Sequence, residues 1–573
     1  MKTKLAVLLT CLLLAARMSL CSEPTADQKF EALAHHYINR TCALQPEEAT
    51  DLGDHRFDDR LDDRSPAGVA RLRRFTERTL TALMAIPVES LETANRVDAS
   101  LLREQLQNQL FEIDTLRSLA WNPLYYNVGD AIDALLTRNF APIEVRMRNV
   151  QARLEAIPSV LAQARQNLHN PPRIHTETAI LQNQGTISLI RDDLPRFIAK
   201  VPSMKKSLLA ARRTALEALQ SYGSWLKDDL LPRSHGNYRI GDQKFREKLR
   251  FTLGSSLSEE EILAHAKADL AKTQSEIYEV ALPLFRKYFP EQLARLGDHH
   301  YVVSAVLDRL AEERPTASTI VPIARKWLAR ATRFVHRHHL VTLPTEPVRV
   351  IVMPEFERGV AVAYCDPPGP LETGRTFYAI SPPPAGWNAA QVTSYFKEDN
   401  DSMLADLTVH EAMPGHYVQL WHARQVVAPT KLRALFESGV FVEGWAVYAE
   451  QMMAEQGFGG PKEHMEQLKI RLRVIINAIL DQKIHAGNMT RSEAMNLMIN
   501  QGYQEEGEAA GKWRRACLTS TQLSTYFVGV TEVNAIRKAW EARHGRGHLR
   551  QFHDTLLSFG SLPPQYIKKL MGL

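Results

Sequence analysis

Cysteine is scarce in this chain: there are five in 573 residues, and two of them, Cys11 and Cys21, fall in the first 22. The other three, Cys42, Cys365 and Cys517, are too few and too scattered for a disulfide framework or a Cys-ligated zinc; at most one bridge is expected. An excess of one charge is also lacking. With 70 Lys and Arg against 65 Asp and Glu, the net charge is only +5. That balance gives no reason to expect a nucleic-acid partner, which calls for cations clustered on one face. Long apolar runs are missing too, and a mean hydropathy of −0.26 excludes a polytopic membrane protein. Glycine (28) and proline (30) are near average, which excludes collagen-like and low-complexity chains. No Gly-x-Ser-x-Gly is present, and no Gly-rich nucleotide motif joins a strand to a helix. No repeat of 20–50 residues is visible, so a regular solenoid is unsupported.

What is present begins with an export signal. Lys2 and Lys4 precede an apolar stretch, Leu5 to Ala16, interrupted by Thr10 and ended by Arg17. Small and polar residues follow at Ser19, Cys21 and Ser22. This is the order of a secretory signal peptide over 1–22, with cleavage near Cys21 or Ser22. The stretch is 12 residues, short of the roughly 20 that span a bilayer. Lipid anchoring at Cys11 or Cys21 would need a lipobox that neither position matches well. Removing the three cations Lys2, Lys4 and Arg17 takes the balance from +5 to +2. The mild basicity is therefore mostly signal.

From about Asp27 to Val341 the pattern is helical, and residues 23–342 are expected to form a helical region that walls a cleft. Leu101, Leu102, Leu106, Leu110 and Ile113 trace one face of a helix over Val97 to Leu116. Ser258 and Glu261 form a capping box; Leu263, Ala266, Leu270 and Ile277 continue that helix, and Pro283 is expected to end it. The texture changes after Pro344. Val348–Met353, Gly359–Tyr364 and Arg375–Ile380 are short and β-branched or aromatic, with Pro- and Gly-rich turns between them. They read as a three-stranded sheet within 348–381. After Trp387 the chain is helical again. The expected class is therefore mainly α, a large multi-helical fold with a small sheet, residues 343–573 carrying the chemistry and both regions making one integrated fold.

The chemistry lies in Leu404 to Gln419, LADLTVHEAMPGHYVQ. His410 and Glu411 are adjacent, and His416 follows. Imidazole suits zinc, and a neighbouring carboxylate can take a proton from water bound to the metal. In the familiar His-Glu-x-x-His spacing the ligands are four apart on one helix face. Here they are six apart, which on a regular helix leaves them about 120° out of register. Pro414 and Gly415 intervene, however. Proline breaks the helix ladder and glycine permits unusual angles, so a local bulge could return His416 to the face of His410. A third ligand must come from another element. In Val442–Glu450, VEGWAVYAE, Glu443 is one such position, and Glu450, seven residues on, lies on nearly the same face. Two His and one Glu leave a zinc position open for water, the catalytic arrangement.

The motif His410-Glu-x-x-Pro-Gly-His416, followed by Glu443-Gly-Trp-Ala-x-Tyr-x-Glu450, resembles a bacterial family of secreted or lipoprotein-like predicted metallopeptidases long catalogued as a domain of unknown function. That family is grouped with the gluzincin peptidases, such as thimet-type oligopeptidases, angiotensin-converting enzyme and Taq-type carboxypeptidases. Asn477-x-x-x-Asp481-x-x-x-His485, Leu523-Ser-x-Tyr526-x-x-Gly529 and Phe552-His-Asp-x-Leu-Leu-x-x-Gly560-x-Leu-Pro563 are similar to further blocks of it. The resemblance implies a zincin-like fold with its sheet flanking the cleft. It implies Zn2+ on His410, His416 and Glu443, Glu411 as general base, and a hydroxyl donor to the oxyanion from the C-terminal helices, for which Tyr526 is the candidate. It also implies a sheet edge that pairs with substrate backbone, with Gly359–Tyr364 as candidate.

Blander readings stand beside these. Tyr526 also reads as a core tyrosine with a satisfied hydroxyl. Glu450 reads as an acid supporting a ligand or lying at the surface, not as a ligand. Asp481 and His485, four apart, are either a pair behind the ligands or an ordinary helix contact. His299-His300, His336-Arg-His-His339 and Arg212-Arg213 read as solvated faces, and Trp421 and His422 as packing. The leading functional reading is an exported zinc metallopeptidase, periplasmic or extracellular, acting on oligopeptides. The alternatives are a non-catalytic zinc-containing binding or structural protein, or a hydrolase of a non-peptide amide or ester on the same residues.

Overall fold

In the computed structural model the described residues are 23–353, 358, 361–384 and 386–573. The expected signal segment 1–22 therefore lies outside them. The fold is mainly α, with one small sheet. The helices that matter for the site are α1 (Thr93–Phe111), α2 (Glu259–Tyr288), α3 (Ile320–Arg337), α4 (Asp401–Glu411), α5 (His416–Ala423), α6 (Gly439–Glu455), α7 (Pro461–His485), α8 (Glu506–Leu518) and α9 (Ser524–His544).

Two expectations about helix ends are corrected. The stripe over Val97–Leu116 belongs to α1, which begins earlier, at Thr93, and gives way after Phe111 to a π turn over Glu112–Leu116. Helix α2 starts at its capping box, where the Ser258 hydroxyl accepts from Glu261 N, but it runs through Pro283 to Tyr288. Proline deletes a ladder hydrogen bond and crowds the preceding turn. Here Ile277, Ala281, Leu284 and Phe285 carry the buried stripe past it, and packing outweighs the local break.

The sheet comprises β1 (Arg349–Val352), β2 (Ala363–Asp366) and β3 (Phe377–Ile380), in the order β1-β3-β2. Strand β3 runs parallel to β1, with Val350 opposite Tyr378, and antiparallel to β2, with Ala363 opposite Ile380. The expected strand over Gly359–Tyr364 is shifted: pairing occupies Ala363–Asp366, and Gly359 and Val360 lie outside the described residues.

One core joins both halves of the chain. Val97 and Leu101 of α1, Trp327 of α3, Tyr378 and Ile380 of β3, Leu404 and Val409 of α4, and Phe441 and Trp445 of α6 pack together with Leu562 and Ile567 near the C-terminus. Each large side chain fully buried there contributes about 2–3 kcal/mol. A second core lies between α2 and α7 and reaches Leu523 and Val528 at the start of α9. Helices α6 and α9 touch backbone to backbone. A Cβ on Gly444 would lie 2.5 Å from Gly529, and one on Gly529 would lie 2.1 Å from the Val440 carbonyl. Only glycine permits that approach. Cys42, Cys365 and Cys517 are all unbridged. Among the described residues no helix is long and apolar enough to cross a membrane.

Candidate metal centre

Helix α4 is built to be buried almost all round. Asn400 caps it, its side chain accepting from Ser402 N and Met403 N, and Leu404, Ala405, Thr408 and Val409 are sealed from solvent. It ends at Glu411, and a new helix, α5, begins at His416. The expected bulge within one helix is therefore a complete break. In the intervening turn Ala412 N and Met413 N both donate to Thr408 O, the Met413-Pro414 peptide is cis, and Gly415 N donates to Val409 O at 2.9 Å. The turn folds back so tightly that a Cβ on Gly415 would stand 1.8 Å from His410 O. Trp445 of α6 pins it from the other side, its indole N–H donating to Pro414 O at 2.9 Å. His416 thus opens the second helix beside the end of the first, and the two imidazoles lie 4.7 Å apart, centre to centre, at 86°.

Helix α6 supplies both carboxylates. Glu443 Oε2 stands 3.5 Å from His410 Nε2 and 3.5 Å from His416 Nε2. Two turns later, Glu450 Oε1 lies 2.5 Å from His410 Nδ1. The His410 ring is therefore held at both nitrogens by one helix. Glu450 is 1 % exposed, so it is a buried acid behind His410 and not a surface group. One donor atom each from His410, His416 and Glu443 fall within 4.8 Å of one another, close enough that the three could hold a metal ion.

The electrostatics fit a cation there. Glu443 Oε2 is buried and accepts no hydrogen bond from protein. Burial pushes the Glu443 carboxyl up, but the two histidines outweigh it and hold it well below the usual carboxylate range. Burial pulls His410 down, and Glu443 with Glu450 more than reverses that. Burial also raises Asp406, one turn before His410, well above its ordinary value, and Glu450 adds to this. Several carboxyl groups crowd a largely buried site, a costly arrangement unless positive charge is supplied. A dication suits it: two neutral imidazole nitrogens and one carboxylate oxygen match zinc's preferred donors. The carboxylate behind His410 fixes that ring's orientation and the proton on its far nitrogen.

Glu411 is 7 % exposed and belongs to the same turn as His410. It faces the sheet: its charge raises the Cys365 thiol of β2 and the Tyr378 phenol of β3, in each case after burial. Tyr378 OH lies 3.1 Å from Thr408 Oγ1 and ties the sheet to α4.

Tyr526 stands one turn before Gly529, where α9 meets α6 next to Glu443. Its phenol oxygen accepts from Arg515 at 3.1 Å and from Gln522 at 3.4 Å, while burial and then the Glu443 charge raise its pKa. The hydroxyl is thus partnered, yet its own proton is left to donate. Asp481 ties down the turn leading to Tyr526, and His485 ties down the end of α8 before it. Asp481 accepts from Thr521 N at 2.8 Å, and from Ser524 N at 2.9 Å and its hydroxyl at 2.8 Å; His485 Nε2 lies 2.7 Å from Ala516 O. His299 and His300 are exposed beside Tyr278 and Tyr503, and His336, His338 and His339 are exposed on and after α3. His422 lies 2.9 Å from Thr342 O. Sequence reasoning missed Trp445, Gly444 and Asp406. The first two stand inside Glu443-Gly-Trp, but nothing local says what they touch.

A family model described as "Bacterial protein of unknown function (DUF885)" matches residues 46–571. A solved candidate lipoprotein of unknown function from Shewanella oneidensis is similar at 32 % identity and a TM-score of 0.81, over 95 % of this chain and 100 % of that one. A candidate lipoprotein from Colwellia psychrerythraea is similar at 18 % identity and a TM-score of 0.78, over 96 % and 99 % of the two chains. An M32 carboxypeptidase from Deinococcus radiodurans R1 aligns over 88 % of this chain and 95 % of its own at 13 % identity, with a TM-score of 0.33, too low to bear on fold or activity. No curated protein matches the chain.

Proposed function

The chain belongs to the DUF885 family of bacterial proteins, and from that premise we propose that it is a zinc-dependent peptidase acting on oligopeptides. The observation that carries the reading is the convergence of His410 Nε2, His416 Nε2 and Glu443 Oε2 on one largely buried point, with Glu411 following His410 at the end of α4. His410, His416 and Glu443 are the residues that would hold the metal. Zinc there would polarise a substrate carbonyl and lower the pKa of a bound water. Glu411 takes the proton of the attacking water and passes it to the leaving amine. The Tyr526 hydroxyl donates to the oxygen that becomes negative in the transition state, and Arg515 holds the phenol from behind. The β2 edge pairs with the substrate backbone. In this reading residues 23–342 wall the cleft and 343–573 carry the chemistry.

We further propose export, on the strength of the basic start and apolar stretch over 1–22. The two relatives described as candidate lipoproteins support it.

The test pairs metal analysis with a mixed peptide library. One zinc per chain and chelator-sensitive cleavage are expected. Glu411→Gln should keep its zinc and lose about 10²–10⁴-fold in rate. Cleavage retained by that variant, or zinc unaffected by Glu443→Ala, refutes the assignment. Zinc bound without cleavage of peptides, amides or esters would leave a binding protein instead.

A further inference from the structure

The near-neutral total conceals one segregated surface. From Arg314 to Thr345 there is no acidic residue, and α3 lies inside that stretch. Its Lys326, Arg330, Arg333 and Arg337 are spaced by four, three and four residues, so they line one side of the helix, and all four are exposed. Arg325 flanks the stripe and donates to Val350 O at 3.2 Å; exposed His336, His338 and His339 follow it. None of the four stripe cations meets an acid among the described residues. Two of them lie against the edge of the core, the Arg330 guanidinium 4.1 Å and the Lys326 ammonium 6.0 Å from the centre of the Trp327 ring.

The opposite side of α3 is fully committed. Ile320, Ala324, Trp327, Ala331 and Val335 are buried in the core that holds α4 and the sheet, and Trp327 Nε1 donates to Asp401 at the start of α4. The cationic stripe therefore points outward, away from the metal ligands. It is straight, about 16 Å from Lys326 to Arg337, and the only other residue exposed between Lys326 and Arg333 is the small Ala329.

We propose that this face docks on an anionic lipid surface. A row of exposed, unneutralised cations with no pocket and no acceptor among them suits a plane of lipid phosphates, which needs charge but no shaped cavity. An exported chain meets that chemistry at the membrane that delivers it. The proposal does not depend on the peptidase reading, because it uses none of the site residues.

The experiment uses the chain from Glu23 onward, which contains every described element. It is sedimented with vesicles of phosphatidylglycerol and phosphatidylethanolamine, and with phosphatidylcholine alone, across a salt series. Binding to the anionic vesicles only, weakening with salt, is expected. Each cation near such a surface is worth about fivefold. Lys326→Ala, Arg330→Ala, Arg333→Ala and Arg337→Ala together should therefore weaken binding by about 10²–10³-fold, with folding unchanged by circular dichroism. The paired control Lys205→Ala with Lys206→Ala, exposed cations on another helix, should bind as wild type. No binding to anionic vesicles, equal binding to both vesicle types, or a quadruple variant that binds as well as wild type overturns the proposal. So does wild-type binding to heparin or DNA that exceeds binding to the anionic vesicles, which would make the face a polyanion site.

Discussion

Replacing Glu450 tests whether the centre is a metal site held from behind or a buried ion cluster that merely resembles one. Its Oε1 lies 2.5 Å from His410 Nδ1 and it is 1 % exposed, so it reaches the ring from inside the core. Glu450→Gln keeps the shape and an accepting oxygen but removes the charge. Carboxylates that orient a ligating histidine in this way are worth about 10–100-fold in metal affinity, or about 1.4–2.8 kcal/mol. The zinc dissociation constant of Glu450→Gln should rise by that factor, measured by competition with a chromophoric chelator. Glu450→Ala goes further: it strips the buried imidazole N–H of its acceptor, which costs the fold about 1–3 kcal/mol. Thermal melting of the metal-free proteins should therefore rank wild type and Gln together above Ala, while zinc affinity separates all three. A Gln variant that binds zinc as tightly as wild type would refute the reasoning, because it would mean that the Glu450 charge adds nothing to an accepting oxygen behind His410.

Two further outcomes follow from the surroundings. His55 lies 3.0 Å from Asp58 and 2.9 Å from Glu372, and stacks at 3.5 Å on Phe140. Burial lowers its pKa, but the two carboxylates overcome that and raise it from the ordinary 6.5 to about 9. A raised histidine stabilises fully below about 6.5 and loses that contribution as pH climbs through about 9, here about 3 kcal/mol for a side chain 23 % exposed. The melting temperature of His55→Gln should fall well below wild type at pH 6 and converge with it by pH 9.5; a gap that persists there would refute the ion pair. Gly415→Ala drives a Cβ into the His410 carbonyl, which no rotamer can relieve, so it should cost about 3 kcal/mol or more and release zinc. Gly185→Ala, in a helix with nothing within 4 Å, should instead stabilise by about 0.5–1 kcal/mol, and equal melting of the two variants would refute the steric argument.

Much of the fold was legible because it rests on period and punctuation. The leucine stripe of α1 and the capping box at Ser258 are local signals, and both mark real helices. The short β-branched runs near 350–380 are likewise real strands. What local signals could not supply was how far packing carries an element. Pro283 reads as a stop, yet the buried Leu284 and Phe285 keep α2 intact beyond it. The strand read over Gly359–Tyr364 has its ladder with β3 over Ala363–Asp366, a register set by Ile380 opposite Ala363, which no residue within the run encodes.

The centre shows the same division more sharply. Residue types, and the spacing of seven between Glu443 and Glu450, were readable, and that spacing does put both acids on one helix face. That one helix would hold both nitrogens of a single ring was not readable, because it depends on where α4 ends against α6. The six-residue interval between His410 and His416 looked like a defect to be absorbed by a bulge. It is instead the length of a reversal. Thr408 O collects two amides, Gly415 N closes onto Val409 O, and Trp445 fastens Pro414 O from the neighbouring helix. A four-residue spacing places two histidines by helix geometry alone. This one places them by the turn's own backbone bonds together with the Trp445 contact from α6, the helix that also brings Glu443. Ligand geometry and tertiary packing therefore share α6, so variants that push α6 off α9 at the Gly444–Gly529 contact should weaken zinc binding without touching a ligand.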